Sequence, residues 1–498
     1  MTDFVNVPHV VVDALAGTGK TTTVKQGVKQ MFYQKSPPWF KATAEQEAVM
    51  AAMKLEDHAG QLAMTSFTTD ATEQLADNAP DGIKTQSTYG MGMSACKRAG
   101  MAASVDRTNF FKQNELYSKF SGGEWQGEKK MPGARFGIIE LCTKARLGLK
   151  RQVTQQEVIE LADHYAVDLK APSDYTTEAI NYMLKEGLKQ TDRVDFVDMV
   201  WMPNLLGLIK KEYDHLIVDE YQDMGVAQQE ICCRIARRIV AIGDINQAIY
   251  GFIGADVDAS GSFQTILNRS PRKLLRLPLT ETRRCPVSVV EQANKILPTG
   301  LKALPEAAEG KVHHSDIMSV GLGEFKPGDM VICPTNAPLC FLLFKLVKAG
   351  KKAYVRKSDI ADSMKKYVKE YGKGIEELKI GISRNIDRVS SQRSTRGTRV
   401  QLDKWMALEE ITRNCSTVDE VSKVLNKLFV EDESGGAIRL SSVHRAKGLE
   451  ADRVFFWEWN LANQFCEKEW EFNQARNLQY VGITRAKKEL WLLKGEKR

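Results

Sequence analysis

The sequence predicts an α/β fold in which two lobes, each built on a parallel sheet, are both interrupted by a mainly helical insertion. A short β-branched run at residues 10–12 leads into a glycine-rich loop at residues 14–22. A second apolar run at 216–218 ends at two adjacent carboxylates, and a third at 239–242 ends at a Gly-Asp pair. Polar residues directly after buried strands are typical of open parallel sheets, which bind ligands at the carboxyl ends of their strands.

The glycine-rich loop has the residue types of a phosphate-binding loop. Gly17 and Gly19 let backbone N–H groups turn inward around phosphate oxygens, and the following helix adds the partial positive charge of its N-terminus. Lys20 is placed to reach the β- and γ-phosphates, and the Thr21 hydroxyl is a ligand for Mg²⁺. Ala14 replaces the first glycine of the usual pattern. The predicted nucleotide contacts here are Ala16, Gly17, Thr18, Gly19, Lys20, Thr21 and Thr22.

Asp219 and Glu220 stand where the apolar run at 216–218 ends. A carboxylate at the edge of a parallel sheet can hold Mg²⁺, which is the role predicted for Asp219. Glu220 can orient or deprotonate an attacking water. Taken alone, the pair also fits a solvated acidic turn. Together with the phosphate loop, it predicts a chain that binds a nucleoside triphosphate with Mg²⁺ and hydrolyses it.

The residues after the second and third runs carry a family resemblance. Asp-Glu-Tyr-Gln-Asp at 219–223 and Gly-Asp-x-x-Gln-x-Ile-Tyr-Gly-Phe at 243–252 resemble motifs II and III of the superfamily 1 DNA helicases of the UvrD/PcrA/Rep type. The resemblance implies that Gln247 contacts the γ-phosphate and that Tyr250 and Phe252 stack on the bases of single-stranded DNA. Stacking grips a strand without reading its sequence, because every base has a π-face.

Six further segments resemble other motifs of that family, in the family's order. The resemblance implies that Arg284 and Arg485 contact the γ-phosphate. Arg283 replaces an aromatic residue that stacks on the adenine, and a guanidinium plane can also stack on a base. Gly448 and Glu450 are predicted to contact the nucleotide, and the resemblance implies that Glu450 binds the ribose. The implied DNA contacts are Phe67, Thr68, Thr88, Ser442 and His444, beside Tyr250 and Phe252. The implied catalytic residues are Lys20, Asp219, Glu220, Gln247, Arg284 and Arg485.

One expected segment stands in an unusual place. The family has a glutamine-containing, adenine-binding segment upstream of the phosphate loop, where this chain is short. A similar string follows the loop instead, at residues 43–49. A Thr-x-x-Gln capping box at a helix start accounts for Thr43 and Gln46 without any ligand, and we favour that interpretation over a relocated adenine contact.

The resemblance also implies a domain organisation. Both lobes of the family are RecA-like P-loop NTPase lobes with ATP between them. The motifs predict the first lobe at residues 1–90 and 205–275 and the second at 276–358 and 437–498. The helical insertion of the first lobe is predicted at 91–204. A short, basic insertion of the second lobe, reduced relative to larger family members, is predicted at 359–436.

Composition narrows the class of protein. The chain has 498 residues, of which 43% are hydrophobic and 27% charged, as in ordinary soluble proteins. It shows no signal peptide and no apolar run of about 18 residues, which predicts a cytoplasmic, DNA-associated protein without a membrane segment. Nine scattered cysteines predict a reducing compartment and no zinc site.

The positive charge is concentrated in one segment. The net charge is +7, and residues 345–399 hold an excess of Lys and Arg over Asp and Glu. Such a segment attracts a phosphate backbone through counterion release. A solvated charged surface without a partner is the alternative for this segment taken alone.

The resemblance implies an ATP-dependent DNA helicase that translocates on single-stranded DNA, 3′→5′, and unwinds duplexes, in DNA repair, replication or recombination. Its cofactors would be ATP and Mg²⁺. Its partners would be single-stranded DNA and junctions of single- with double-stranded DNA. A protein that loads it onto DNA is a further candidate partner, and the chain would act as a monomer. The alternatives are a translocase that displaces proteins or a motor that needs a partner to unwind, and a DNA-binding scaffold with a vestigial ATPase.

Overall fold

The structure is a computed structural model, and the chain divides into two compact units, Met1–Thr280 and Glu281–Arg498. The residues it describes are 7–31, 36–37, 40–54, 61–67, 69–79, 83–106, 111–123, 131, 133–251, 259–355, 359–371, 374–391, 396–413, 415–428, 436–464 and 466–495. Among these residues, no helix is long and apolar enough to cross a membrane.

The first unit alternates strands and helices along much of its length. Its strands are β1 (His9–Ala14), β2 (Leu62–Thr65), β3 (Lys84–Thr85), β4 (Ser104–Asp106), β5 (Arg193–Asp195), β6 (Tyr213–Asp219), β7 (Ala236–Gly243) and β8 (Leu274–Leu279). Its helices are α1 (Lys20–Met31), α2 (Ala44–Met53), α3 (Thr69–Asn78), α4 (Thr88–Arg98), α5 (Phe111–Ser121), α6 (Ala134–Leu147), α7 (Gln155–His164), α8 (Ser173–Lys189), α9 (Asp198–Leu205), α10 (Val226–Ile235) and α11 (Ala259–Leu267).

Six of these strands form one parallel sheet in the order β3-β2-β6-β7-β1-β8. The central strands are continuous apolar runs because helices cover both faces. Successive side chains of a strand point to opposite faces. Val10 and Val12 accordingly join one core cluster and Val11 joins the other. The carboxyl ends of β1, β6 and β7 therefore meet at one edge, where the loop at residues 14–20 and Asp219 also lie.

The segment between β3 and β6 is mainly helical and has its own core. The same segment contains a buried ion network. The ammonium of Lys112 lies 2.6 Å from Asp198, and a guanidinium nitrogen of Arg146 lies 2.8 Å from Asp195 and 2.9 Å from Asp198. Burial of charge is tolerated only when opposite charges are paired, and removal of one partner is strongly destabilising. We take this network as structural.

The second unit repeats the pattern. Its strands are β9 (Glu281–Thr282), β10 (Lys302–Ala303), β11 (Lys311–Asp316), β12 (Met330–Cys333), β13 (Ala353–Val355), β14 (Ile438–Ser442), β15 (Ala451–Trp457) and β16 (Ala486–Lys494). Its helices are α12 (Val287–Ile296), α13 (Ala337–Lys348), α14 (Asp359–Tyr371), α15 (Ile375–Ser390), α16 (Arg396–Arg413), α17 (Val418–Leu428), α18 (Val443–Ala446) and α19 (Glu469–Ile483).

Six strands of the second unit form a parallel sheet in the order β11-β16-β15-β12-β14-β13. Helices α14 to α17 occupy the predicted short insertion, and their apolar residues share one core cluster with the sheet. The predicted fold class, two parallel-sheet lobes each carrying a mainly helical insertion, is confirmed.

One predicted boundary falls inside a strand. The first lobe was predicted to end at residue 275, whereas β8 pairs with β1 along its whole length, from Leu274 to Leu279. β8 is an edge strand with exposed positions, and Arg276 and Pro278 interrupt its leucines, so its apolar pattern does not mark where the strand ends. The domain bounds remain predictions.

Candidate nucleotide-binding and DNA-contact residues

The phosphate loop joins β1 to α1 in a shape that depends on its glycines. Gly17 and Gly19 have positive φ values of 71° and 80°, which glycine adopts without steric cost. Leu15 N donates to Leu279 O at 2.9 Å, and Thr18 Oγ1 donates to Leu15 O at 2.8 Å. These bonds hold the loop to the sheet. Helix α1 begins at Lys20, so its unpaired N–H groups and dipole face the loop, as an anion site requires.

Lys20 and Glu220 form an ion pair at this edge of the sheet. The Lys20 ammonium lies 3.3 Å from Glu220 Oε1, and Gln222 Nε2 donates to Glu220 Oε2. Glu220 has a φ of 52° and a ψ of 42°, a left-handed conformation that is uncommon for a residue with a side chain. Such strain clusters at functional sites, where surrounding contacts hold it. Asp219, which is almost fully buried, accepts from Glu220 N at 3.0 Å.

Asp244 and Gln247 extend this network from the end of β7. Gln247 Nε2 donates to Asp244 Oδ2 at 2.8 Å, and Asp244 N donates to Gln222 Oε1 at 3.1 Å. Burial raises the pKa of the Asp244 carboxyl, against the opposing effects of Lys20 and of the hydrogen bonds it accepts. A Cβ at Gly243 would lie 2.1 Å from Gln222 Oε1, so the close approach of the two strand ends needs glycine there.

Gln222 and Asp244 are candidate residues of this site for which the sequence pattern predicted no role. Gln222 holds Glu220 with one end of its amide and the backbone of Asp244 with the other. Both residues lie inside motif-like strings that had been identified, so the signal was present in the sequence. The sequence does not show that the ends of β6 and β7 lie close enough for the Gln222 amide to bond to both Glu220 and Asp244.

The residues present fit a triphosphate with Mg²⁺. The loop offers inward backbone, a helix N-terminus and a lysine, which together suit phosphate oxygens. The Thr21 hydroxyl is exposed at the start of α1, and Asp219 supplies a carboxylate at the end of β6. A hydroxyl and a carboxylate are the hard oxygen donors that Mg²⁺ takes beside phosphates and waters.

Two predicted DNA-contact residues of the first unit lie together. The ring centroids of Phe67 and Tyr250 are 5.9 Å apart, with the planes tilted by 31°. Both side chains are half-buried, so each keeps part of its ring open to solvent. Phe67 follows β2 and Tyr250 follows β7, which places both at the carboxyl edge of the sheet. The predicted contacts Thr68 and Phe252 lie outside the described residues.

The predicted DNA contact Thr88 lies in the interior of the first unit. Its side chain is fully buried, and its hydroxyl accepts a hydrogen bond from Gln228 Nε2 at 2.9 Å. This bond joins the start of α4 to α10. Contact with DNA through this side chain would require it to become exposed, and its role at DNA stays a prediction.

In the second unit, Arg284 and Glu450 form an ion pair. Arg284 Nε donates to Glu450 Oε2 at 2.7 Å, and Arg284 Nη1 donates to Thr484 O at 3.3 Å. Arg485 is buried, and its Nε donates to Val481 O at 2.8 Å. The guanidinium groups predicted for the γ-phosphate are therefore bonded to protein oxygens in this structure.

The remaining predicted residues of the second unit lie on short connections. Ser442 ends β14 and precedes α18, which contains His444; both are half-buried. Gly448 is exposed with a φ of 85°, a conformation that favours glycine, and it lies two residues before Glu450. Arg283 is exposed and directly precedes Arg284.

Comparisons with known proteins agree with these observations. The family model described as "UvrD-like helicase C-terminal domain" matches residues 126–497. The ATP-dependent DNA helicase PcrA of Leuconostoc citreum is 23% identical over 176 residues, which cover 31% of this chain and 23% of that relative. A probable DNA helicase II homolog of Rickettsia conorii is 36% identical over 87 residues, which cover 16% of this chain and 13% of that relative. The matched stretches are thus short parts of those relatives.

Among solved structures, the helicase nonstructural protein 10 of an arterivirus matches 97% of this chain and 59% of its own, with 12% identity and a TM-score of 0.32. The family match covers most of the chain, including both motif-bearing parts of the second unit. The chain belongs to the UvrD-like helicase family.

Proposed function

We propose that this protein is an ATP-dependent DNA helicase that moves along single-stranded DNA. The observation that carries the proposal is the carboxyl edge of the first sheet. There the Lys20–Glu220 ion pair follows β1 and β6, and the Phe67–Tyr250 ring pair follows β2 and β7. Residues that suit nucleotide hydrolysis and two rings that suit base stacking thus follow strands of one parallel sheet.

The chemistry at the nucleotide follows from the contacts of Glu220. A phosphate oxygen that accepts from Lys20 would replace Glu220 as the partner of the ammonium, which leaves Glu220 able to take a proton from water. Gln222 would hold the released carboxylate in place. Thr21 and Asp219 are the residues that would hold Mg²⁺, which when bound neutralises charge on the phosphates.

The roles of Arg284 and Arg485 at the γ-phosphate rest on the family resemblance. In this structure Arg284 is bonded to a carboxylate and a carbonyl, and Arg485 to two carbonyls, and phosphate oxygens would have to replace these partners. Phosphate oxygens are stronger acceptors of such bonds than carbonyls, because bonds between charged groups are about twice as strong as neutral ones. We propose that these arginines exchange their protein partners for phosphate oxygens when the nucleotide binds.

Movement requires that the grip on the strand change with the state of the nucleotide. Gln247 is bonded to Asp244 at the nucleotide edge and lies three residues before Tyr250. A shift of Gln247 toward the γ-phosphate would therefore be felt at the Phe67–Tyr250 pair. We propose 3′→5′ movement on the resemblance alone, with duplex opening when the motor meets a junction.

The decisive experiment compares two duplexes, one with a 3′ single-stranded tail and one with a 5′ tail, in the presence of ATP and Mg²⁺. Strand separation and hydrolysis are recorded in the same tubes. We expect DNA-stimulated hydrolysis and opening of the 3′-tailed duplex alone. Absence of hydrolysis with every DNA would refute the proposal, and opening of the 5′-tailed duplex alone would reverse the polarity.

A second candidate is a translocase or a motor that needs a partner to open duplexes. The observation that favours it is the second insertion, which is short as a whole and whose helices α14 to α17 share the core of the sheet. Stimulated hydrolysis with neither duplex opened would select this candidate. A scaffold with a vestigial ATPase is disfavoured, because the Lys20–Glu220 pair and Asp219 are all present and in register at the strand ends.

A further inference from the structure

Helix α2 packs beside the helix that leaves the phosphate loop. Val49 and Met53 of α2 belong to the same core cluster as Val24 and Val28 of α1. A Cβ built at Gly27 would lie 2.6 Å from the Met53 sulfur, so the two helices approach closely because residue 27 lacks a side chain. This packing fixes α2, and the first turn of α2 then reaches the loop.

Gln46, in that first turn, makes two bonds to the loop and its helix. It is 1% exposed, and its Nε2 donates to Thr18 O at 3.1 Å and to Thr23 Oγ1 at 3.1 Å. Thr23 Oγ1 in turn donates to Gly19 O at 2.9 Å. The amide therefore holds the backbone on both sides of Gly19. The contact is tight, because a Cβ at Gly19 would lie 2.8 Å from Gln46 Nε2.

The capping box predicted from the sequence is confirmed, but it does not use these donors. Thr43 N donates to Gln46 Oε1 at 3.1 Å, and Gln46 N donates to Thr43 Oγ1 at 3.3 Å. A glutamate at position 46 would complete the same box. Of the two residues that complete this box, only glutamine has N–H donors, and Gln46 Nε2 donates to Thr18 and Thr23 of the loop region.

The residue before Gln46 anchors the same turn from the other side. Glu45 Oε2 accepts from Thr280 N at 2.5 Å, and Glu45 Oε1 accepts from Thr280 Oγ1 at 2.7 Å. Thr280 directly follows β8, the strand whose Leu279 O accepts from the loop residue Leu15. The start of α2 is thus bonded to the loop through Gln46 and to the end of β8 through Glu45.

We propose that Gln46 is a positioning residue of the nucleotide site, whose two amide donors hold the phosphate loop in the shape that binds a triphosphate. The inference rests on the proposed function, since it names a residue that acts on the same site through the loop. A preformed loop binds its ligand without the cost of ordering it, so loss of the donors weakens nucleotide binding.

Two variants of the full chain separate this role from helix capping. Gln46→Glu keeps the capping box and removes both donors, and it sets a carboxylate against the Thr18 carbonyl. Thr43→Ala removes the capping hydroxyl and keeps the Gln46 amide. For each, a fluorescent ATP analogue is titrated with Mg²⁺, KM and kcat for ATP hydrolysis are measured, and the melting temperature is recorded without nucleotide.

We expect Gln46→Glu to raise Kd and KM by about tenfold or more with kcat changed less, since two hydrogen bonds are lost. Thr43→Ala should change Kd by less than about twofold while lowering the melting temperature. Gln46→Glu binding like the wild type, or Thr43→Ala binding as weakly as Gln46→Glu, overturns the proposal.

If Gln46→Glu fails to fold, Gln46→Met replaces it, because methionine keeps the length of the side chain without its donors. Wild-type affinity in Gln46→Met also overturns the inference. A wild-type chain that does not bind the analogue at all is a failure of the proposed function instead, and the two failures are thereby distinguished.

Discussion

The ammonium group of Lys20 lies 3.3 Å from Oε1 of Glu220, and both side chains are mostly shielded from solvent. The residue predicted to bind the β- and γ-phosphates and the residue predicted to act on water thus neutralise each other in this structure. Nucleotide binding must exchange the carboxylate for phosphate oxygens around the lysine. Under the proposed function, a triphosphate bound to Lys20 would leave Glu220 able to act as a base.

Replacement of Lys20 by alanine should reduce ATP hydrolysis at least about a hundredfold, since the cation that meets the β- and γ-phosphates is lost. Steady-state hydrolysis with saturating single-stranded DNA measures this. Lys29→Ala, in the last turn of the same helix, is the matched control and should hydrolyse normally. Near-normal turnover in Lys20→Ala would contradict the assignment of the loop.

Replacement of Glu220 by glutamine should separate binding from hydrolysis. Hydrolysis should fall by about a hundredfold or more, since a general base contributes about 10²–10⁴. Nucleotide affinity should be retained or increased, because Lys20 no longer pairs with a carboxylate. Equilibrium titration of a nucleotide beside single-turnover hydrolysis tests both statements. Weakened binding with unchanged hydrolysis would remove Glu220 from the role of base.

The nucleotide edge of the first unit could be read from the sequence because its signals are local. A buried parallel strand is a continuous apolar run, and the residue that follows it must lie at the edge of the sheet. This logic located the loop after β1 and Asp219 at the end of β6. It required no knowledge of which strands are neighbours.

Contacts between distant segments could not be read in the same way. Gln46 could be recognised as a capping residue, which needs only Thr43, but its bonds to Thr18 and Thr23 depend on how α2 packs on α1. The burial of Thr88 depends on α10, whose Gln228 lies 140 residues away in sequence. The contacts and burial of such side chains depend on the packing of elements that are distant in sequence, which the local sequence pattern does not show.

Replacement of Tyr250 by alanine should weaken binding to single-stranded DNA by about 1–3 kcal/mol, the value of one base stack. Tyr250→Phe keeps the ring beside Phe67 and should bind like the wild type. Fluorescence anisotropy with a labelled oligonucleotide measures the affinity, and the melting temperature checks the fold. Unchanged affinity and unchanged DNA stimulation of hydrolysis in Tyr250→Ala would make the residue a packing residue.

Replacement of Arg485 by alanine should spare nucleotide binding and slow hydrolysis at least about a hundredfold, as loss of an arginine at the transferring phosphoryl group does. Because Arg485 is buried and bonded to Val481 O, the variant should also melt at a lower temperature. Arg485→Lys restores a cation but not the planar fork, so it should melt closer to the wild type and still hydrolyse slowly. Fast hydrolysis in both variants would assign the residue to the fold alone.

Two buried histidines of the first unit should make stability fall in mild acid. Burial, with nearby arginines, lowers the pKa of His9 and of His215 from 6.5 to about 4. The neutral ring of His9 accepts from Ile239 N at 3.0 Å through Nδ1, a bond that protonation of that nitrogen would break. The unfolded chain therefore binds protons between pH 6.5 and about 4, whereas the folded chain does not.

Stability from these groups is complete above pH 6.5 and is lost as the pH falls toward about 4. Each histidine should cost about 2 kcal/mol between about pH 7.5 and about pH 5. Denaturant unfolding at the two values measures the loss. His215→Gln is the informative variant, because it removes one titrating group and should lose less stability over the same range than the wild type. An identical loss in the variant would show that His215 takes no part in the acid sensitivity.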